Sequence, residues 1–331
     1  MGALALAALT SIVVAAPAAT ASPGVPLPIP PAEAGDGRVA LVRGGNVFTV
    51  QPDAVGLTRL TGGGVSSGPA WSPDGKRIAY VRESAPGVRD LWIMAADGSG
   101  KTQVTTSGVT AAGSPSWSPD GGRLAFGGPC IPTNTNPDMC PSVTGLPVLD
   151  TISAVAPYGE PTTALPGRTF EGPAEGPMRV LDRVSWAPQG NDVAFYTPSV
   201  NHADDQYVVI LDVSDGSGSI VSSIGGGGTS GTLGQAAFSA DGSSVAFDAS
   251  FDYQGVPGPR GITTCAIATG TCGGSFRQVP DDSQIAYAPS GTGVALVRAG
   301  NRDRIVLADL DGTNRRPLVR GNQPSWQPLP S

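Results

Sequence analysis

One motif recurs five times along the chain and constrains its fold more than any other feature. In each copy an aromatic residue stands seven positions before an aliphatic one, with a turn rich in Pro, Asp and Gly between them. The clearest copies read PAWSPDGKRIAYV and PSWSPDGGRLAFG. Because Pro presets φ and Gly after Asp accepts positive φ, each copy predicts two antiparallel strands joined by a tight turn. The five aromatic residues are Trp71, Trp117, Trp186, Phe238 and Tyr287.

A second turn follows most copies and completes a larger unit. The segments LWIMAADGSGKTQVT, VVILDVSDGSGSIVS, CAIATGTCGGSFRQV and IVLADLDGTNRRPLV each predict two further strands around a Gly-containing turn. Each repeat is therefore expected to form a four-stranded antiparallel sheet. Four strands in about 40 to 50 residues are typical of a propeller blade.

The two ends of the repeat region complement each other. PSWQPLPS, which contains Trp326, has only the first strand of a repeat, and the segment that begins at Gly37 has only the second, third and fourth. We therefore predict an all-β six-bladed β-propeller of four-stranded antiparallel blades over residues 37–331, with the last blade closed by both termini. Closure removes the sheet edge that an open array would expose.

Composition supports an all-β chain and excludes several classes of function. The sequence has 47 Gly and 32 Pro and only 14% charged residues, which suits short strands and tight turns better than long solvent-facing helices. A net charge of −7, with no run of Lys or Arg that reaches four, argues against nucleic-acid binding. The single histidine, His202, excludes sites that need two or three imidazoles.

The N-terminal segment predicts export from the cytoplasm. An apolar run ends in Ala19-Thr20-Ala21, which indicates a signal peptide over residues 1–21, with an uncleaved anchor as the alternative. A Pro-rich linker over residues 22–36 follows. No other segment is apolar and long enough to cross a bilayer, so we expect a secreted or extracytoplasmic protein of the cell envelope or periplasm.

The four cysteines fit an oxidising compartment. Three pairings are open, and proximity in sequence favours Cys130 with Cys140 and Cys265 with Cys272. The second pair flanks Ala-Thr-Gly, a predicted hairpin turn. Neither pair has the C-x-x-C spacing that is typical of a metal site.

The combination of WSPDG and outer DG turns resembles the TolB-type Pro-Asp β-propeller repeat. The resemblance runs from about Gly37 to Trp326 and covers that family's propeller, not its N-terminal α/β domain. Two repeats match closely, and three depart from Pro-Asp at Gln189, Ala240 and Ser290. The resemblance implies a six-bladed propeller that mediates protein contacts in the cell envelope.

Two patterns in the repeats resemble chemical sites and are interpreted as turns. AADGSGKT, Ala95 to Thr102, matches a relaxed phosphate-loop pattern, but the following QVTTSG lacks the apolar spacing of the helix that such a loop requires. Asp74, Asp120 and Asp241 recur at one position, where a ring of metal-binding carboxylates is the alternative to turn chemistry. A serine nucleophile is not supported, because a Ser-His-Asp arrangement would have to use the single histidine, His202.

Topology predicts where a ligand would bind. Connections between the second and third strands of a blade, and from one blade to the next, emerge on one face, and the longer and more variable segments are of these two kinds. Loops on a rigid scaffold commonly carry binding functions. The binding candidates on this face are Glu83, Arg89, His202, Asp204, Asp252, Tyr253, Arg260, Arg302 and Arg304.

We therefore expect a monomeric, non-enzymatic scaffold that binds an envelope or extracellular protein partner through its loop-rich face. One alternative is an extracellular carbohydrate-active enzyme, a glycoside hydrolase or lyase, that uses acids such as Asp204 and Asp252. Another is a propeller that binds a small ligand or calcium. No other cofactor is expected.

Overall fold

The computed structural model describes residues 37–106, 112–128, 148–164, 180, 183–198, 205–225, 229–253, 256–273, 276, 279–300 and 302–329. The strands of this part form six four-stranded antiparallel sheets, as predicted. The chain begins with β1 (Val39–Arg43), β2 (Asn46–Val50) and β3 (Thr58–Arg59). Blade I contains β4 (Val65–Trp71), β5 (Arg77–Ala85), β6 (Val88–Ala95) and β7 (Thr102–Gln103). Blade II contains β8 (Ala112–Trp117), β9 (Arg123–Gly128), β10 (Val148–Ser153) and β11 (Thr162–Thr163).

The remaining blades follow in chain order. Blade III contains β12 (Val184–Trp186), β13 (Asp192–Pro198), β14 (Gln206–Asp212) and β15 (Gly218–Ile224). Blade IV contains β16 (Thr229–Phe238), β17 (Ser244–Tyr253), β18 (Val256–Ala266) and β19 (Thr271–Cys272). Blade V contains β20 (Asp282–Tyr287), β21 (Gly293–Arg298), β22 (Arg304–Asp309) and β23 (Arg316–Arg320). The last strand, β24 (Asn322–Trp326), joins β1, β2 and β3 to form blade VI.

The predicted closure of the ring is confirmed in blade VI. β24 pairs antiparallel with β1, and Trp326 stands opposite Val39. The indole Nε1 of Trp326 donates to the carbonyl oxygen of Gly37 at 3.1 Å. Strands from both ends of the repeat region therefore share one sheet, which leaves no open edge between the blades.

Local hydrogen bonds explain why the Pro-Asp segments form tight turns. In blade I the Ser72 hydroxyl donates to Asp74 Oδ1 at 2.6 Å, and the backbone N–H of Lys76 donates to the same oxygen at 3.1 Å. Gly75 has φ +66°, which a residue with a Cβ rarely adopts. The same serine-to-aspartate bond occurs at Asp120 and Asp241, so the predicted turn role of these carboxylates is confirmed.

The hydrophobic core is divided among the contacts between neighbouring blades. Each adjacent pair of blades shares one cluster of buried side chains. The second strands contribute the largest fully buried aromatic residues, Tyr80, Phe126, Phe195 and Phe247. Full burial of such a side chain stabilises the fold by about 1.5–3 kcal/mol. The ring is therefore held together blade by blade and offers a rigid support for its two faces.

The structure also decides two local predictions. AADGSGKT is an outer turn: β6 ends at Ala95, the N–H of Ser99 donates to Asp97 Oδ1 at 2.8 Å, and the chain continues as β7. A disulfide joins Cys265 and Cys272 across β18 and β19, with their Cα atoms 4.0 Å apart. The predicted pair of Cys130 and Cys140 lies outside the described residues.

Candidate functional site

The propeller has two chemically different faces. We call the face with the connections between second and third strands the loop-rich face, and the opposite one, with the Pro-Asp and outer turns, the turn face. Backbone hydrogen bonds join neighbouring connections on the loop-rich face, from Ser66 N–H to Gly45 O at 2.8 Å and from Gly321 N–H to Asp303 O at 3.0 Å. A ligand on this face would therefore meet connections of fixed relative position.

Two of the sequence candidates, Glu83 and Arg89, lie together in blade I on the loop-rich face. Glu83 and Arg89 stand opposite each other in blade I and form an ion pair of 3.1 Å. A hydrogen bond from Arg89, aided by the Gly87 N–H, lowers the pKa of Glu83 below its usual value. These two side chains are therefore largely committed to each other.

The other candidates lie in blades IV and V or outside the described residues. Asp252 and Tyr253 end β17, and the exposed Arg260 lies opposite Ser250 in β18. Arg304 is the first residue of β22 and Arg302 lies just before this strand; both are exposed. His202 and Asp204 fall outside the described residues, as do the side chains of Asp252 and Tyr253. The candidates whose side chains the structure describes thus lie in three different blades, I, IV and V.

A concentration of arginines forms the clearest charged feature of the loop-rich face. Arg304 stands directly opposite Arg298 on one side and Arg320 on the other. Like charges in such positions repel each other. We call Arg43, Arg298, Arg302, Arg304 and Arg320 the arginine surface; all five are exposed.

A cavity of about 330 Å³ lies within the arginine surface. Arg43, Arg302 and Arg320 line it together with Gly44, Gly45, Asp303, Gly321 and Asn322. Asp303 is engaged by the side-chain amide of Asn322, which donates to its Oδ2 at 3.1 Å. Arg298 lies 3.6 Å from the buried carboxylate of Asp282, which also binds Arg315. The cavity thus combines three guanidinium groups with room for an anionic group.

Three members of this surface were missed by the sequence interpretation, although a signal for them is present. The tripeptide Leu-Val-Arg, followed by Gly or Ala, occurs three times, in LVRGG, LVRAG and LVRGN. The three arginines, Arg43, Arg298 and Arg320, each end a strand at the loop-rich face.

The central channel is bridged by Arg183, which the sequence interpretation also missed. Its Nη1 donates to the carbonyl oxygens of Ile285 at 3.1 Å and Pro324 at 3.2 Å, so the residue before blade III reaches blades V and VI. Arg183 lies three positions before Trp186, where the other blades have Gly, Ser or Gln. It lines a funnel of about 360 Å³ that opens on the turn face and is ringed by the aromatic and proline residues of the repeats.

Two kinds of feature, a group of metal-ligating side chains and a membrane-spanning helix, are absent from the described residues. Within them, no three His, Cys, Asp or Glu side chains are grouped in a way that would hold a metal ion. Nor does this part of the chain contain a helix with the length and hydropathy that a bilayer span requires.

These features define a six-bladed β-propeller with a basic patch on its loop-rich face. Its structure is similar to that of TolB from Acinetobacter baumannii, with a TM-score of 0.61 and 19% identity over 88% of this chain and 67% of the other. It is also similar to a putative TolB from Agrobacterium tumefaciens, with a TM-score of 0.58 and 17% identity over 87% of this chain and 91% of the other.

A solved structure of a differently named protein is similar as well. Kuenenia stuttgartiensis hydrazine synthase matches with a TM-score of 0.57 and 13% identity, over 89% of this chain and 47% of the other. No known protein-family profile and no curated protein matches the sequence. At these identities the similarity establishes the TolB-like propeller fold alone.

Proposed function

We propose that this protein is a non-enzymatic binding scaffold of the cell envelope or exterior that docks a protein partner on its loop-rich face. The observation that carries the proposal is the position of Arg304 between Arg298 and Arg320. This arrangement costs stability in the free protein, and an acidic segment of a partner would relieve it. Arginine binds carboxylates in bidentate geometry and is enriched among the residues that dominate protein interfaces.

Charge contrast adds support to this choice of face. The chain has a formal net charge of −7, with 27 acidic and 20 basic residues, so a group of five exposed arginines differs in sign from the molecule as a whole. Such a patch steers an oppositely charged partner to one place on the surface. The cavity beside Arg43, Arg302 and Arg320 offers a carboxylate of that partner a recessed position.

Binding without catalysis agrees with the roles of the turn carboxylates. Asp74, Asp120 and Asp241 accept hydrogen bonds from serines of their own turns, and the bond from Ser239 is the main cause of the low pKa of Asp241, about 2. Location outside the cytoplasm is supported by the disulfide of blade IV, because such bonds persist in oxidising compartments.

The proposal is tested with a defined acidic probe, a blocked peptide of ten glutamates, applied to the immobilised protein. Wild type is expected to bind it, and binding should weaken as salt screens the charges. The double variant Arg304→Glu/Arg320→Glu should bind at least tenfold more weakly. Lys76→Glu/Lys101→Glu is the matched control, since it reverses two exposed charges on the turn face.

Two results would contradict the proposal. Equal loss of peptide binding in Lys76→Glu/Lys101→Glu and in Arg304→Glu/Arg320→Glu would mean that net charge, and not the arginine surface, governs binding. Turnover of a cell-wall or plant polysaccharide that is lost in Asp252→Asn would identify an enzyme instead. If the peptide results are as expected, the same three proteins can be used to capture the natural partner from envelope extracts.

A further inference from the structure

Arg77 clamps blade I to blade II on the turn face. It is the first residue of β5, and its guanidinium carbon lies 4.5 Å from the centre of the Trp117 ring in blade II. It also donates to the carbonyl oxygens of Gly121 at 3.2 Å and Ala154 at 3.1 Å. The guanidinium group is thus held between an aromatic face and two backbone acceptors of the next blade.

The contact between blades II and III is made by an arginine in the same way. Arg123, the first residue of β9, lies over the Trp186 ring of blade III at 4.9 Å and donates to Asn191 Oδ1 at 2.9 Å. In blades I and II an arginine at the start of the second strand therefore connects the blade to the next one, whereas this strand begins with Asp192, Ser244 and Gly293 in blades III, IV and V. Arg77 and Arg123 occupy equivalent positions, because each is the first residue of the second strand of its blade.

Blade IV does not supply this arginine to blade V. Ser244 begins β17 where Arg77 begins β5, and Ala240 replaces the proline of the Pro-Asp turn. Between blades IV and V lies a cavity of about 640 Å³, which both Ser244 and Ala240 line. The cavity coincides with the position that an arginine of blade IV would fill.

The wall of this cavity repeats the acceptors that hold Arg77. Tyr287 is the inner aromatic residue of blade V and corresponds to Trp117. Gly291 corresponds to Gly121 of the Pro-Asp turn, and Leu310, the first residue after β22, corresponds to Ala154, the first after β10. Tyr287, Gly291 and Leu310 all line the cavity.

The remaining lining favours a cation with hydrogen-bond donors. Asp241 lines the cavity, as do the hydroxyl-bearing residues Ser243, Thr264 and Thr271. Hydrogen bonds from Ser239 and Ser243 lower the pKa of Asp241, so its carboxylate is ionised at neutral pH. A planar guanidinium can stack on a ring while donating to several oxygens around it.

We propose that the cavity between blades IV and V binds an arginine side chain presented by a protein partner. The partner would supply to blade V the contact that Arg77 supplies to blade II within the chain. Leu310 lies at the cavity and is 47% exposed, so it offers an apolar contact to the rest of the partner segment. This site is on the turn face, and it does not depend on the arginine surface of the opposite face.

Small probes test the chemistry of the site first. Ligand-observed NMR is recorded with N-methylguanidinium and with its neutral counterpart N-methylurea. Wild type is expected to bind the cation at least tenfold more tightly than the urea. Ser244→Arg places the chain's own arginine in the cavity, so binding of the cation should fall at least tenfold while the unfolding temperature is unchanged or raised.

A matched control separates filling of the cavity from added charge. Ser219→Arg adds the same side chain at an exposed position of β15 and should bind the probe as wild type does. Should Ser244→Arg fail to fold, Tyr287→Leu removes the ring face instead and should weaken binding at least fivefold. Equal binding of both probes, or unchanged binding in Ser244→Arg and Tyr287→Leu, would overturn the proposal.

Blocked pentapeptides identify the source of the guanidinium group. Acetyl-Gly-Gly-Arg-Gly-Gly-amide should compete with N-methylguanidinium, and the peptide with citrulline in place of arginine should not. Competition by neither peptide would overturn the assignment to a partner's arginine, since only free guanidinium compounds would then fit. These outcomes are independent of the glutamate-peptide test, because none of the variants touches the arginine surface.

Discussion

Arg183 and the carbonyl oxygen of Pro324 are 3.2 Å apart, although 141 positions separate them in the sequence. The same guanidinium nitrogen donates to Ile285 O at 3.1 Å. Since Arg183 precedes blade III while its acceptors lie in blades V and VI, the side chain ties distant parts of the ring together across the channel. The hydrogen bonds of Arg183 therefore help to hold blades V and VI in place relative to the start of blade III.

Replacing Arg183 with Met should destabilise the whole ring. Met keeps much of the side-chain length but removes the charge and both hydrogen bonds, each of which contributes about 1.5–3 kcal/mol when the donor is charged. We expect the free energy of unfolding in urea to fall by about 3–6 kcal/mol. Arg302→Met, at an exposed position, is the control and should change stability by less than about 0.5 kcal/mol. Equal effects of the two changes would show that the bridge contributes nothing.

Reversing the central charge of the arginine surface should stabilise the free protein while it weakens binding. In Arg304→Glu the carboxylate stands opposite Arg298 and Arg320, so two repulsive pairs become attractive. We expect a gain of about 0.5–1 kcal/mol in unfolding free energy at low salt, which should shrink in 1 M salt. Thermal and urea unfolding at both salt concentrations measure it. A loss of stability at low salt would contradict the repulsion inferred for wild type.

The disulfide should stabilise the outer edge of blade IV. Cys265 is buried and Cys272 is exposed, and the bond closes a hairpin with a sequence separation of 7. For a loop of this size the expected contribution is about 2 kcal/mol. Cys265→Ala/Cys272→Ala should lose this amount in urea unfolding. A variant as stable as the oxidised wild type would contradict the prediction.

Turn chemistry made the fold predictable, because it acts over a few residues. The serine, aspartate and glycine around Asp74 form their turn with local hydrogen bonds, and repetition of that pattern was sufficient to count the blades and to foresee the role of Trp326. Candidate sites were less predictable, because they depend on contacts between blades. Glu83 and Arg89 were chosen as loop residues, yet they pair with each other.

The functional contribution of a residue here depends on what the neighbouring blade places beside it. No sequence pattern marks Ser244 as a site residue. It belongs to the proposed arginine site because Tyr287 and Gly291 of the next blade line the same cavity. The bridge made by Arg183 likewise needs the inner strands of blades V and VI. Such pairings follow from closure of the ring, which a local pattern does not encode.

Asp150 should make stability depend on pH. It is fully buried in β10, and Thr163 donates to its Oδ1, whereas its Oδ2 has no hydrogen-bond partner in the described part of the chain. Desolvation raises its pKa from 3.8 to about 7, although the bond from Thr163 acts in the opposite direction. Between these values the folded protein retains a proton that the unfolded chain releases. Stability should therefore be greatest below about pH 4 for this group and decrease as the pH rises to 7.

Asp150→Asn isolates this effect, because it removes the ionisation and retains an oxygen that can accept the bond from Thr163. At about 1.4 kcal/mol for each pKa unit, the variant should exceed wild type by up to about 4 kcal/mol at pH 7 and match it near pH 4. Urea unfolding at several pH values measures the difference. Asp90→Asn is the contrasting control: both oxygens of Asp90 accept hydrogen bonds, from Thr105 at 2.9 Å and from Gln103 at 3.1 Å, so the amide should lower stability at pH 7. A difference between Asp150→Asn and wild type that does not change with pH would mean that Asp150 is ionised in the folded protein throughout this range.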